Sequence, residues 1–305
     1  MNRGTRVLAL LAAGCCGAVA QQAEIFEFHS GFWVNLHQFL WNRAMDQKSP
    51  PSGSADWQEA VAYYRSSLVT HDHLGDDMAA INNRLARAAG SGTLAGAGVD
   101  APLSAVLEKV AAEYRKAWWP EHDRNNRAWI EAARPLIAKD GAAMAKEIAA
   151  AFQTDWPREP IRVEIAVAAS WEGAYTTTNP TLITILSVDK SYQGMASLEM
   201  LFHEASHSIN RTVDEAIAGE ARARKMLFQR RGFAHAVLFY TAGEVARRHL
   251  GPEYQRYGIK NGVMEQGWPG ALAVLEKDWK PYLDGKTSFA EAVPALVKDY
   301  GVPKP

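Results

Sequence analysis

Apolar residues recur at helical spacing over most of the first half of the chain. The segments with this spacing are 24–47, 57–69, a stretch reaching about residue 89, 102–118, 120–138 and 141–152. Runs rich in Gly, Ser and Pro separate some of them, as at 50–54 and 90–98. The pattern predicts a helical N-terminal region over residues 21–155.

The spacing of apolar residues changes to two at residue 161. Ile161, Val163 and Ile165 alternate with side chains of the other face, which predicts a strand. Segment 176–188, rich in Thr, Ile and Leu, predicts a second strand or a hairpin. Helical spacing then returns at 200–209, and it predicts further helices at about 213–230, 232–250, 270–280 and 288–299. We therefore expect an α+β fold that is mostly helical, with a small sheet beside the 200–209 helix in a C-terminal region spanning 156–305.

The first 20 residues have the order of a secretion signal. Arg3 and Arg6 form a short basic region, residues 7–13 are apolar, and Ala18-Val19-Ala20 offers a cleavage site. We predict that this segment is a signal peptide. The mature chain is then exported to the periplasm or the cell exterior.

The cysteines leave a second outcome open for this segment. Both of them, Cys15 and Cys16, lie inside it, so a chain cleaved after residue 20 has no disulfide. Ala12-Ala13-Gly14-Cys15 resembles a bacterial lipoprotein box, although Ala stands three residues before the cysteine where Leu is usual. The alternatives are soluble export and a lipid anchor at Cys15.

Composition and charge argue against two classes of protein. Hydrophobic residues make up 48% of the chain and charged residues 22%, which is ordinary for a globular protein. The formal net charge of −1 lacks the basic excess of a nucleic-acid binder. No stretch after residue 20 has the 18 or more continuous apolar residues of a membrane-spanning helix. We expect no nucleic-acid partner and no transmembrane span.

The candidate chemistry lies in the predicted helix over 200–209, which contains His203-Glu204-Ala205-Ser206-His207. Residues four apart share a helix face, so the imidazoles of His203 and His207 can reach one metal ion. Glu204 projects about 100° away, beside the metal, where a carboxylate can take a proton from an attacking water. The spacing predicts a zinc site with His203 and His207 as ligands and Glu204 as general base.

This arrangement resembles the zincin metallopeptidases, in which a small sheet lies beside a helix with the same motif. The resemblance covers roughly residues 161–250. The metzincin branch is excluded, because Asn210 stands where it has a glycine and Val213 where it has a third histidine. The gluzincin branch matches better, and it implies that a Glu on a following helix is the third zinc ligand.

Five downstream residues are candidates for that ligand: Asp214, Glu215, Glu220, His235 and Glu244. The first two follow His207 too closely for the chain to turn back, and Glu220 lies among arginines that favour a solvated ion pair. Glu244 lies in the apolar segment 239–245, where a buried carboxylate needs a cation. We therefore predict Glu244 as the third ligand. A salt bridge to Arg247 or Arg248 is the alternative.

Two residues of the same predicted helix are candidates for stabilising a tetrahedral oxyanion, as a Tyr or His does in several zincins. Tyr240 precedes Glu244 by four residues, so the two share a helix face. His235 is nine residues from Glu244, which sets it on roughly the opposite face. Both stay open for the role, and either can instead be packed in the core.

The motif and the resemblance together imply an exported zinc-dependent hydrolase, foremost a peptidase acting on an amide bond of a peptide or protein. A strand within 171–188 would hold the substrate as an added strand. One alternative is a zincin-like binding protein of the bacterial envelope that turns over no substrate. Another is a structural helical protein in which the motif is accidental.

Overall fold

The computed structural model describes residues 24–46, 53–72, 74–169, 173–228, 230 and 232–304. The predicted signal peptide, with Cys15, lies outside the described residues. The longer helices are α1 (Phe32–Met45), α2 (Ala55–Ser67), α3 (Asp76–Arg87), α4 (Ala101–Ala117), α5 (Trp119–Ala151), α6 (Met195–Ser206), α7 (Arg211–Ala223) and α8 (Phe233–Leu250). The remainder are α9 (Tyr257–Lys260), α10 (Val263–Gly267), α11 (Ala271–Val274), α12 (Lys280–Leu283) and α13 (Phe289–Tyr300).

Four strands form one mixed sheet, and the fold is α+β and mostly helical, as predicted. The strands are β1 (Phe26–His29), β2 (Ile161–Ala166), β3 (Ala174–Thr177) and β4 (Leu182–Leu186), in the order β1-β2-β4-β3. β2 is parallel to both β1 and β4, whereas β3 pairs antiparallel with β4. Of the two outcomes predicted for 176–188, a second strand or a hairpin, the structure has the hairpin. Two short strands, β5 (Met226–Leu227) and β6 (Val302–Pro303), form a separate pair.

The prediction of a continuous helix over 24–47 is wrong at its start. Residues 26–29 form β1, and α1 begins only at Phe32. Phe26 and Phe28 alternate with the polar Glu27 and His29, a period of two that the aromatic helical face downstream obscured. β1 is fixed by its parallel pairing with β2, a long-range contact that no local pattern reports.

The segments predicted as two helices, 120–138 and 141–152, form the single helix α5. Pro135 lies inside it, yet the buried face continues from Trp129 and Ile130 before the proline to Met144 and Ile148 after it. Packing of this face against the C-terminal core outweighs the hydrogen bond lost at the proline.

Two clusters of buried side chains form the hydrophobic core. The first joins helices α1 to α4, together with Ala168 and Leu182. The second contains side chains of the sheet, including Phe26 of β1, and of helices α6 to α8 and the C-terminal helices, together with the buried face of α5 from Trp129 to Ala151. The two clusters are therefore not separated at residue 155. Among the described residues, none of the helices is both long and apolar enough to cross a membrane.

Helices α6 and α8 pack against each other through residues spaced four apart on each helix. On α8, His235, Phe239 and Gly243 lie four residues apart, and on α6, Glu199 and His203 do the same. A Cβ on Gly243 would stand 2.8 Å from Oε1 of Glu199, and the Phe239 ring centroid lies 3.7 Å from that of His203. The missing side chain at Gly243 lets α8 approach α6 and brings His235 towards the motif.

A pair of glycine substitutions tests this close approach. Gly219→Ala in α7 adds a Cβ that meets only the Arg222 Nη2 atom, at 3.9 Å, so better helix propensity should raise Tm by about 1–4 °C.

Gly243→Ala gains the same propensity, but its Cβ would stand 2.8 Å from Glu199 Oε1 and 3.2 Å from Arg256 Cβ. Because hydrogen bonds from Tyr254 and Tyr257 hold the Glu199 carboxylate, this overpacking costs about 1–3 kcal/mol and Tm should fall. Thermal unfolding measures both. An equal rise in the two variants would contradict the packing described.

Candidate metal centre

The last turn of α6 carries the His-Glu-x-x-His motif. Residues 197–206 of this helix are all buried, and His207 is its C-cap, with φ −59° and ψ −25°. The backbone at His207 is therefore still helical, so it keeps the spacing of four from His203. The ring centroids of the two histidines are 5.1 Å apart. The sequence prediction that both imidazoles face one point is consistent with this geometry.

A third imidazole comes from the first turn of α8, which begins at Phe233 after Gly232. Nε2 of His235 lies 3.3 Å from Nε2 of His203, and the His235 and His207 ring centroids are 4.8 Å apart. One ring nitrogen from each of the three histidines lies within 4.8 Å of the others. Three histidines from two helices could thus hold one metal ion.

One nitrogen separation already suits ligands of a common metal ion. Nitrogens bound tetrahedrally to a metal at about 2.0–2.1 Å lie about 3.3 Å from each other, as do the His203 and His235 Nε2 atoms, whereas the whole group spans up to 4.8 Å. His203 is buried, while His207 and His235 are half-buried, so the group is open on one side.

Burial also sets the protonation state of the three rings. It lowers the pKa of His207 to about 3 and of His235 to about 4, and it lowers the pKa of His203 well below its ordinary value. Repulsion between the rings acts in the same direction on His203 and His207. All three imidazoles are neutral at pH 7, the form in which histidine binds metal.

Glu204 lies beside the three histidines and is 3% exposed. Its Oε1 is 3.9 Å from Nε2 of His203. Its Oε2 accepts a hydrogen bond of 2.8 Å from Thr176 Oγ1, and the same hydroxyl lies 2.9 Å from the Glu204 carbonyl oxygen. The carboxylate is therefore next to the candidate metal position, as the motif spacing predicted, and it is held from strand β3.

Strand β3 lies at the edge of the sheet, next to Glu204. Leu186 N donates to Gly173 O, so in the antiparallel register Tyr175 and Thr177 also turn their N–H and C=O groups towards β4. The backbone groups of Ala174 and Thr176 point the other way, to the side of β3 that pairs with no further strand of the described sheet. Ala174 is covered there, being 6% exposed, whereas Thr176 is half-buried.

The structure does not bring Glu244 to the motif histidines, which corrects the prediction that it stands with them. Glu244 is 1% exposed and does have cationic partners, but they are side chains. Arg247 Nη2 lies 2.8 Å from its Oε1, Arg256 Nη1 lies 3.0 Å from its Oε2, and Lys280 Nζ lies 3.6 Å from its Oε1. The cation that a buried carboxylate needs thus comes from arginine and lysine. His235, on the opposite face of α8, lies with the motif instead.

Tyr240 is grouped with Glu244 rather than with the histidines. The Arg256 guanidinium lies 4.8 Å from the Tyr240 ring centroid. Burial raises the pKa of the Tyr240 phenol, and Glu276 and Glu244 contribute in the same direction. The expected sharing of a face by Tyr240 and Glu244 agrees with the structure, since both contact Arg256. The oxyanion role of Tyr240 stays a prediction, and His235 lies among the ligand candidates.

Two contacts near the site had no signal in the sequence. One is the Thr176 hydroxyl on Glu204. The other is Glu199, a buried carboxylate one helical turn before His203, which accepts hydrogen bonds from the Tyr254 hydroxyl at 2.7 Å and the Tyr257 N–H at 2.8 Å. Burial raises the pKa of Glu199 to about 7 despite these bonds. Through these two hydrogen bonds, Glu199 holds the segment between α8 and α9 against α6, the helix that carries the motif.

Comparison of the chain with protein-family models, with curated proteins and with solved structures finds no match.

Proposed function

We propose that this protein is a zinc-dependent hydrolase and that its substrate is a peptide or protein. The observation that carries the proposal is the convergence of His203, His207 and His235, with the Glu204 carboxylate beside them. Two histidines four apart on a helix make a common surface arrangement. A third imidazole from another helix, with all three rings neutral, is far more specific to a metal site.

The donor set favours zinc. Imidazole nitrogen suits Zn²⁺, whereas Mg²⁺ and Ca²⁺ prefer oxygen ligands. Three protein ligands are also the number typical of catalytic zinc, because such sites keep one position open. When bound, zinc would polarise the substrate carbonyl and make water acidic enough to attack at neutral pH.

Glu204 is the residue we assign to proton transfer. As general base, its carboxylate takes the proton of the attacking water and then gives it to the leaving amine. Glu204 Oε1 lies 3.9 Å from Nε2 of His203, although Glu204 belongs to a different face of α6, and this proximity supports the assignment. Tyr240 takes no part in this scheme.

The unpaired edge of β3 supports a peptide as substrate. An extended chain added there would bond to the backbone of Thr176, which faces away from β4 and is half-buried, whereas Ala174 is already covered. The carbonyl groups of the added chain would then lie beside Thr176, whose side chain contacts Glu204. This geometry favours an amide bond within an extended polypeptide over a compact small molecule.

Cleavage of unfolded peptides tests the proposal. The purified protein is incubated with a peptide mixture, and the products are identified by mass spectrometry. Chelation should abolish cleavage, and added Zn²⁺ should restore it, while Mg²⁺ should not. Cleavage that survives complete removal of metal would contradict the proposal. So would a protein with bound zinc that cleaves no peptide, which would favour a binding role.

A further inference from the structure

We propose that Thr176 is a positioning residue for Glu204, and that the N-terminal helices hold it in place through Tyr175. This inference rests on the proposed function. It gives strand β3 a role in positioning the general base of the proposed hydrolysis. It also gives a role to the helices before residue 119, which the proposed function does not otherwise use.

The Thr176 hydroxyl lies within hydrogen-bond distance of Glu204 at two atoms. Its Oγ1 is 2.8 Å from the carboxylate Oε2 and 2.9 Å from the carbonyl oxygen of the same residue, and its single proton is shared between them. Glu is a flexible side chain, and this contact with the carboxylate restricts its rotation. Threonine is suited to this because its branched Cβ restricts χ1. The other carboxylate oxygen, Oε1, faces His203.

The strand that carries Thr176 needs support from elsewhere. β3 has only four residues and pairs on one side, with β4. Tyr175 points to the opposite side of the sheet from Thr176. There its hydroxyl contacts Gln38 Nε2 of α1 at 2.8 Å and Asn82 Nδ2 of α3 at 3.4 Å.

These two amides form a buried anchor. Gln38 Nε2 also donates to Asn82 Oδ1 at 3.0 Å, and both side chains are fully buried. Buried hydrogen bonds of this kind are costly to break, because each amide would be left short of a partner. The anchor therefore fixes Tyr175, and with it the backbone position of the next residue, Thr176.

Substitutions in β3 test the role in catalysis. Thr176→Val keeps the shape but removes the hydroxyl, so kcat should fall by about 10–100-fold with little change in KM and no loss of zinc. Thr176→Ser restores the hydroxyl and should recover most of kcat. The matched control is Thr177→Val, because the Thr177 hydroxyl is buried and without a hydrogen-bond partner among the described residues. Tyr175→Phe should lower kcat by a smaller factor than Thr176→Val.

Equal kcat values for Thr176→Val and Thr177→Val would overturn the role of Thr176. An unchanged kcat in Tyr175→Phe would overturn the role of the anchor.

A second measurement needs no activity. In the metal-free protein, Thr176→Val should lower Tm by a few degrees, and the loss should be smaller in a Glu204→Ala background, where the carboxylate contact is already absent. Equal losses in both backgrounds would contradict a contact between the two side chains. If the wild-type protein cleaves nothing, the proposed function fails, while this thermal cycle still decides whether Thr176 holds Glu204.

Discussion

Glu204→Gln is expected to lower the rate of hydrolysis by at least about 10²–10⁴-fold while the zinc content stays unchanged. Glutamine has nearly the same shape and can still accept the Thr176 hydrogen bond, but it cannot take a proton from water. Because the metal ligands in our proposal are the three histidines, zinc affinity should not depend on this residue.

The control for this experiment is Glu215→Gln, on an exposed part of α7 where Glu215 pairs only with Arg211 among the described residues. This variant should keep the full rate. A Glu204→Gln enzyme with wild-type kcat would contradict the assignment of Glu204 as general base. Loss of zinc in that variant would point to Glu204 as a ligand.

His235→Ala is expected to weaken zinc binding by more than about 100-fold. Outer-shell partners of metal ligands already contribute roughly 10–100-fold to affinity, so loss of one of three direct ligands should exceed that range. Competition with a chromophoric zinc chelator measures the affinity. His249→Ala, which removes a histidine bound to Glu147 far along α8, is the histidine control and should leave zinc binding unchanged.

Glu244→Gln separates the two accounts of the third ligand. It should keep wild-type zinc affinity, because Glu244 contacts Arg247, Arg256 and Lys280 rather than the histidines. It should also unfold more easily, by roughly 3 kcal/mol, since its cationic partners lose a buried counter-charge. Loss of zinc in Glu244→Gln but not in His235→Ala would favour the gluzincin-like ligand set.

Local sequence pattern was enough to find the motif helix and the hairpin before it. His203 and His207 are four apart in an apolar run, and the strands at 161–166 and 182–186 are dense in Ile, Val and Leu. Both signals are short-range, and packing did not override them. The local pattern does not predict β1, because only four residues alternate between apolar and polar before a strongly helical segment begins. The strand that pairs with them, β2, lies more than 130 residues further along the chain.

The sequence pattern does not decide whether His235 or Glu244 joins the two motif histidines. His235 and Glu244 do lie on opposite sides of α8, and Glu244 is indeed buried with cationic partners. What the sequence does not encode locally is which of these sides meets α6. That is decided by tertiary packing, at the close approach of Gly243 to Glu199. The run of His235, Phe239 and Gly243 at intervals of four was the available clue.

The zinc content of the purified protein tests the three-histidine centre most directly. The protein is stripped of metal, loaded with Zn²⁺, freed of excess and analysed by elemental mass spectrometry beside His235→Ala and Glu244→Gln. We expect one zinc per chain in the wild-type protein and in Glu244→Gln, and much less in His235→Ala. A wild-type protein without stoichiometric zinc, or a His235→Ala variant that retains it fully, would contradict the account.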